Sequence, residues 1–100
     1  MGKLSAVHPG EVLVEEFLAP LGISQNRLAM SLRVPATRIH DIAKGKRAIS
    51  ADTALRLARF FGNSPQFWLA LQSRYDLDVA QDALGERLEQ EVLPLDSTQS

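Results

Sequence analysis

The chain has 100 residues, 45% of them hydrophobic, a net charge of −1 and no cysteine. That is the length of one domain, with enough chain to bury a core without staples. The absence of thiols excludes disulfides, thiolate metal sites and a cysteine nucleophile, and no apolar run approaches the roughly 20 residues that span a bilayer.

Met1-Gly2-Lys3-Leu4 lacks the apolar core of a signal peptide, so a cytoplasmic location is expected. His8-Pro9-Gly10 then leads into a first helix predicted over 10–19. Val12, Leu13, Phe17 and Leu18 recur there at helical spacing, and Glu11, Glu15 and Glu16 lie early enough to favour the helix dipole. Pro20 and Gly22 are expected to stop it. Ser24 offers an N-cap for a second helix over 25–32, with Leu28, Ala29 and Leu32 inward. Arg33-Val34 leaves room only for a tight turn. Pro35 opens a third helix, 35–43, where its missing N–H costs nothing, and Gly45 supplies a left-handed cap. Ser50 caps a fourth helix over 51–61, whose apolar face combines Ala54, Leu55, Leu57, Ala58 and Phe61, and Gly62 ends it. Ser64-Pro65 starts a fifth, carrying Phe67, Trp68, Leu71 and Tyr75. A weaker helix is predicted over 79–92, ended by Pro94, with a frayed tail over 95–100. No segment shows the period-2 alternation of a strand, so the fold class is all-α, divided into a domain over 1–75 and an acidic extension over 76–100.

Near-zero net charge conceals a separation. Between Ser24 and Ser50 stand six basic residues, Arg27, Arg33, Arg38, Lys44, Lys46 and Arg47, against Asp41 alone, a net of +5. Between Asp76 and Ser100 stand seven acids against Arg87 alone, a net of −6. Two surfaces of opposite potential suit two kinds of partner.

The basic segment also has a grammar. A small residue, Ala29, suits a close helix crossing. Val34 plugs the turn, and Ile39 and Ile42, three apart, face inward. This is the pattern of a helix-turn-helix, in which the start of the second helix reaches base edges while the first crosses the backbone. The third helix, 35–43, is therefore expected to enter the DNA major groove. Ala36 and Thr37 can offer methyl groups to thymine, and Arg38 can pair bidentately with guanine or hold a phosphate. Asp41 suits either cytosine N4 or the orientation of Arg38. Ser24 and Gln25, at the start of helix two, suit a phosphate, as do Lys44, Lys46 and Arg47 after the reading helix. His40 is read as a rim residue. For two-fold DNA a dimer is required. Trp68, Leu71, Gln72 and Tyr75 are the candidate dimer surface, with core packing as the alternative for Trp68 and Leu71.

Several segments carry a resemblance: His8-Pro9-Gly10-Glu11, Glu15-Glu16-Phe17-Leu18, the helix-turn-helix SQNRLAMSLRVPATRIHDIAKGKRAIS, Ala51-Asp52-Thr53-Ala54-Leu55-Arg56-Leu57-Ala58 and Ser64-Pro65-Gln66-Phe67-Trp68-Leu69. Together they resemble the Xre, or phage-repressor-like, class and more narrowly the HigA antitoxins and VapI-type proteins. Near the end of the reading helix, where that family often has glutamate, this chain has Ala43. The resemblance implies a five-helix, phage-repressor-like domain with an additional C-terminal helix or acidic tail. It implies a homodimer on a palindromic double-stranded operator, and a HigB-like toxin, a basic mRNA endonuclease, as protein partner. No cofactor, metal, membrane or small-molecule substrate is expected. Acidic segment 76–91 and the first helix, through Glu11 and Glu15, are the two candidate toxin surfaces.

A stand-alone regulator without a toxin is the alternative function. An enzyme is disfavoured, because His8 and His40 stand far apart without a carboxylate at ligand spacing, and there is neither a Gly-rich phosphate loop nor a nucleophile elbow. An interaction module that has lost DNA binding is disfavoured by the +5 segment.

Overall fold

The computed structural model describes residues 6–95, which contain six helices and no strand. The readings of Met1-Gly2-Lys3-Leu4 and of 96–100 lie outside the described residues.

Helix α1 is continuous but built in three parts, Pro9–Val12, a π-helical stretch Leu13–Leu18, and Ala19–Leu21. His8 caps it, its Nδ1 accepting from the Gly10 N–H at 2.9 Å. Pro20 does not stop the helix as expected. A proline ring crowds the carbonyl four residues earlier and cannot donate, and the wider π turn before it relieves that crowding, with the Ala19 N–H reaching back to Val14. The chain leaves the helix only at Gly22, whose φ of 66° is left-handed.

Helices α2, Gln25–Leu32, and α3, Ala36–Ala43, form the helix-turn-helix pair. Pro35 is the N-cap of α3 rather than its first residue, with ψ 144°. Helix α4, Ala51–Phe61, is capped by Ser50 and ended by Gly62. Helix α5, Pro65–Leu84, follows, and a short α6, Arg87–Glu91, closes the described chain.

The expected break after Tyr75 does not occur. The separate helix predicted over 79–92 is the end of α5 followed by α6. No glycine or proline lies between Pro65 and Gly85, so nothing in the sequence interrupts the helix until Gly85 takes φ 53°. Twenty residues make α5 about 30 Å long. Its far half projects, and the radius of gyration is 17.4 Å where about 13 Å is usual for 100 residues in a compact domain.

The core joins α1 through α5: Leu13, Leu18, Leu28, Ala29, Leu32, Ile39, Ile42, Ile49, Ala54, Leu57, Ala58 and Trp68. Ala29 is buried where α2 crosses α3, and Val34 packs from the turn against this cluster. Phe17, Phe61 and Phe67 surround Trp68, with centroids 4.9, 6.0 and 5.0 Å from its ring. Leu55, expected inward, is 60% exposed, because Ala54, Leu57 and Ala58 already fill the face that α4 turns to the core.

Candidate nucleic-acid interface

The start of α2 is fixed by Ser24, whose Oγ accepts from the Arg27 N–H at 3.0 Å. Its hydroxyl thus has a capping task, while the residue remains exposed; Gln25 beside it is half-buried. The turn to α3 is held by Arg33, in a left-handed conformation at φ 61°, and by the Val34 N–H donating to the Ala29 carbonyl at 3.1 Å.

Ile39 and Ile42 pin one side of α3 in the core, which leaves Ala36 and Thr37 exposed on its first turn. Arg38 is half-buried and donates through Nη1 to Asp52 Oδ2 of α4 at 3.0 Å. The carboxylate that Arg38 meets is therefore Asp52 rather than Asp41; Asp41 is half-buried, and its backbone carbonyl accepts from Lys46 N–H at 2.8 Å. His40 shares a 3.1 Å hydrogen bond between Nε2 and Asn26 Oδ1, which links α3 to α2.

Lys46 N–H to Asp41 and Gly45 N–H to Ile42 form a Schellman closure at the end of α3, with Gly45 left-handed at φ 77°. Lys44, Lys46 and Arg47 project from this turn, all exposed. The turn is anchored twice. Ile49 is buried and donates its N–H to Gln72 Oε1 of α5 at 2.7 Å. On the other side Gly10 of α1 lies against the backbone of Ile42 and Ala43 so closely that a Cβ there would overlap the Ile42 carbonyl oxygen. The position of α3 is thus set by segments that precede and follow it in the sequence.

Two ionisable groups beside this surface are perturbed. Asp52 is held below the usual carboxylate value, first by the hydrogen bond from Arg56 and further by Arg38, against a smaller opposing effect of desolvation. His8 lies below the ordinary 6.5 because burial disfavours its charged form, an effect partly opposed by the Asp76 carboxylate.

Among the candidate dimer residues, Trp68 and Leu71 take the core-packing alternative, and Gln72, expected on the surface, is buried. Trp68 is fully buried and its indole Nε1–H donates to Asn63 Oδ1 at 2.9 Å. Gln72 is buried, bonded to Ile49 and, through Nε2, to Asp76 Oδ1 at 3.0 Å. Leu71 packs partly buried against the core, and Tyr75 is half-buried with its ring edge-on to His8 at 4.8 Å. These four residues, at three- and four-residue spacing, form the stripe by which the first half of α5 docks on the body. Trp68 and Gln72 are consequently not exposed in the folded chain.

Sequence reasoning missed Asp52, Arg56 and Asn26 beside these residues. The four-residue spacing of Asp52 and Arg56 on a helix was a visible sign of an ion pair. Nothing local indicated that Asp52 also meets Arg38, fourteen residues away.

This geometry has close relatives. The helix-turn-helix family pattern matches residues 14–68. Virulence-associated protein I of Dichelobacter nodosus is 49% identical over 79 residues, covering 79% of this chain and 73% of the relative. The antitoxin HigA of Pseudomonas aeruginosa, solved with the higBA promoter, superposes with a TM-score of 0.87 at 48% identity, over 90% of this chain and 98% of that one. An addiction module antidote protein of the HigA family from Coxiella burnetii gives 0.87 at 47% identity, over 91% and 99%. Such proteins are DNA-binding antitoxins rather than enzymes. In sequence, helix order and three-dimensional shape alike, the chain belongs to the HigA family of antitoxins, VapI-like proteins of the helix-turn-helix class.

Proposed function

We propose that the protein is the antitoxin of a type II toxin–antitoxin pair: a homodimer that binds a palindromic operator, represses its own operon and neutralises a HigB-like mRNA endonuclease. The observation that carries the DNA-binding part is the first turn of α3. Ala36 and Thr37 stand exposed there beside Arg38, with the Lys44, Lys46 and Arg47 cations at the far end of the same helix. The fold shared with a HigA solved on its promoter supports the same reading. In this assignment Ala36, Thr37, Arg38 and Asp41 face bases, while Ser24, Gln25, Lys44, Lys46 and Arg47 meet phosphates.

Dimerisation is assigned to the projecting part of the molecule, not to the buried stripe at its base. Leu77 and Val79 on α5 are 55% and 44% exposed, and Leu88 on α6 is 46% exposed. The acids over 76–91 are the candidate toxin surface, since opposite potentials favour encounter with a basic enzyme. Several of these acids also have partners within the chain: Asp76 accepts from Gln72, Asp78 pairs with Arg74 at 3.3 Å on α5, and Glu91 pairs with Arg87 at 3.2 Å on α6. The functional division at 1–75 and 76–100 is retained in this sense, although α5 runs unbroken across it. Among the described residues no helix is long and apolar enough to cross a membrane.

Titration of the full chain against a duplex carrying the promoter of its own gene, across a salt series, tests the DNA reading. Affinity should fall steeply, with a log–log slope of about −0.9 per neutralised phosphate. An affinity indifferent to salt overturns it. Co-purification with the product of the neighbouring gene separates the antitoxin from a stand-alone regulator.

A further inference from the structure

Asp52 belongs to neither helix of the helix-turn-helix pair, yet it joins them. Its Oδ2 accepts from Arg38 Nη1 of α3 at 3.0 Å and from Arg56 Nε of α4 at 3.1 Å, and its Oδ1 lies 3.3 Å from the same Arg56 nitrogen. Arg56 in turn donates through Nη1 to the carbonyl of Leu32, the last residue of α2, at 2.8 Å. A single chain of charge-assisted hydrogen bonds thus runs from the end of α2, through α4, to the first turn of α3.

We propose that Asp52 is a specificity-determining positioning residue, which holds Arg38 by one nitrogen so that the rest of its guanidinium meets a guanine in a fixed orientation. The proposal rests on the reading of α3 as the DNA-reading helix. Three observations carry it. First, the guanidinium is a rigid planar fork with five N–H donors, and the pair with Asp52 uses one of its terminal nitrogens. The remaining donors are free to pair with O6 and N7 of guanine. Second, the Asp52–Arg38 pair is a small source of stability. The Asp52 and Arg38 side chains are 56% and 25% exposed, and exposed pairs of this kind contribute little to folding. Third, a carboxylate close to DNA repels phosphates, and Arg56, bonded to both oxygens of Asp52, offsets that charge while leaving the geometry in place. Fixing a long side chain before binding removes part of the ordering cost at the moment of recognition. It also penalises any base that does not match the fixed fork. Arg38 therefore reads as a preset probe, while its exposed neighbours Ala36 and Thr37 are set by the helix alone.

The test is a selection from random-sequence DNA duplexes with the full-length chain, followed by affinities for every single-base variant of the selected site. Arg38→Ala should abolish the preference for one guanine. Asp52→Asn should lower the preference for that same guanine about tenfold, a typical discrimination for one bidentate contact, and leave other positions unchanged. Asp52→Glu should restore part of it, and Asp52→Asn added to Arg38→Ala should change nothing further. A uniform loss across all positions, a change confined to the salt slope, or an effect that persists without Arg38 overturns the proposal. A wild-type chain that selects no motif overturns the DNA reading itself; one that selects a motif indifferent to Asp52 overturns only the positioning role.

Discussion

Replacing Gly10 by alanine tests how α3 is positioned. Gly10 lies in the first turn of α1, and a Cβ built there would overlap the Ile42 carbonyl oxygen, with the Ile42 carbonyl carbon at 2.7 Å and Ala43 Cα at 3.1 Å. All three atoms are backbone, so no side chain can swing aside. Carbon contacts are favourable from about 3.5 Å, so α1 and the end of α3 must part by about 0.8 Å at the carbonyl carbon alone. Overpacking of this kind costs about 1–3 kcal/mol. Alanine gains about 0.4–1 kcal/mol over glycine in a helix through the unfolded chain, and with backbone on both sides the steric cost prevails. The expected net loss is about 1–2 kcal/mol, equivalent to roughly 4–16 °C in melting temperature for a domain of this size. The displaced Ile42 carbonyl also receives the Gly45 N–H at 3.0 Å, so the turn that presents Lys46 and Arg47 should shift with it. Thermal melting by circular dichroism and titration with the promoter duplex read the two effects. A variant that melts at or above the wild-type temperature would refute the reasoning, because propensity would then have outweighed the contact.

Other outcomes follow from the same geometry. Trp68→Ala should cost about 3–5 kcal/mol as a loss of folding; a well-folded but monomeric variant would instead return Trp68 to a dimer surface. Gln72→Leu leaves the buried Ile49 N–H without its acceptor and should cost about 1–3 kcal/mol, with faster hydrogen exchange at Ile49; unchanged exchange there would contradict the anchor. For His8, the folded-state pKa lies below the unfolded 6.5, so the unfolded chain binds more protons between the two values. Stability contributed by the neutral ring is complete above 6.5 and falls as pH drops toward the folded value. Protonated Nδ1 can no longer accept from Gly10, so melting should decline in that window, and His8→Asn, which keeps a cap, should lose that dependence. An equal decline in both proteins would assign the effect elsewhere.

Local chemistry made much of this fold readable. Ser24, Ser50 and Ser64 each cap the helix expected of them, and Gly22, Gly45 and Gly62 each take the left-handed conformation that ends one. The inward pair Ile39 and Ile42 followed from spacing alone. What escaped depends on partners far along the chain. Gln72 looks exposed by residue type, and only the Ile49 N–H, twenty-three residues away, explains its burial. Trp68 serves equally as anchor or interface until the packing of Phe17 and Phe61 around it is known. Pro20 reads as a stop unless the π turn before it is foreseen, and the length of α5 is written in an absence of breakers, a weaker signal than their presence. At the interface, the exposed residues were accessible to pattern reasoning, whereas the acid that meets Arg38 was not.

The way α3 is mounted has a consequence for how such a protein can change. Its inner side, Ile39, Ile42 and the backbone beside Gly10, carries the packing, while Ala36 and Thr37 carry none of the core. Substitutions at exposed positions of this sort usually shift stability by no more than about 0.5 kcal/mol. In the proposed assignment a lineage can therefore exchange those two side chains and acquire a new operator while the scaffold stays as it is. Arg38 lacks that freedom, because its carboxylate partner sits on another helix. In the proposed assignment, target preference should thus drift readily at two positions and change at the third together with Asp52.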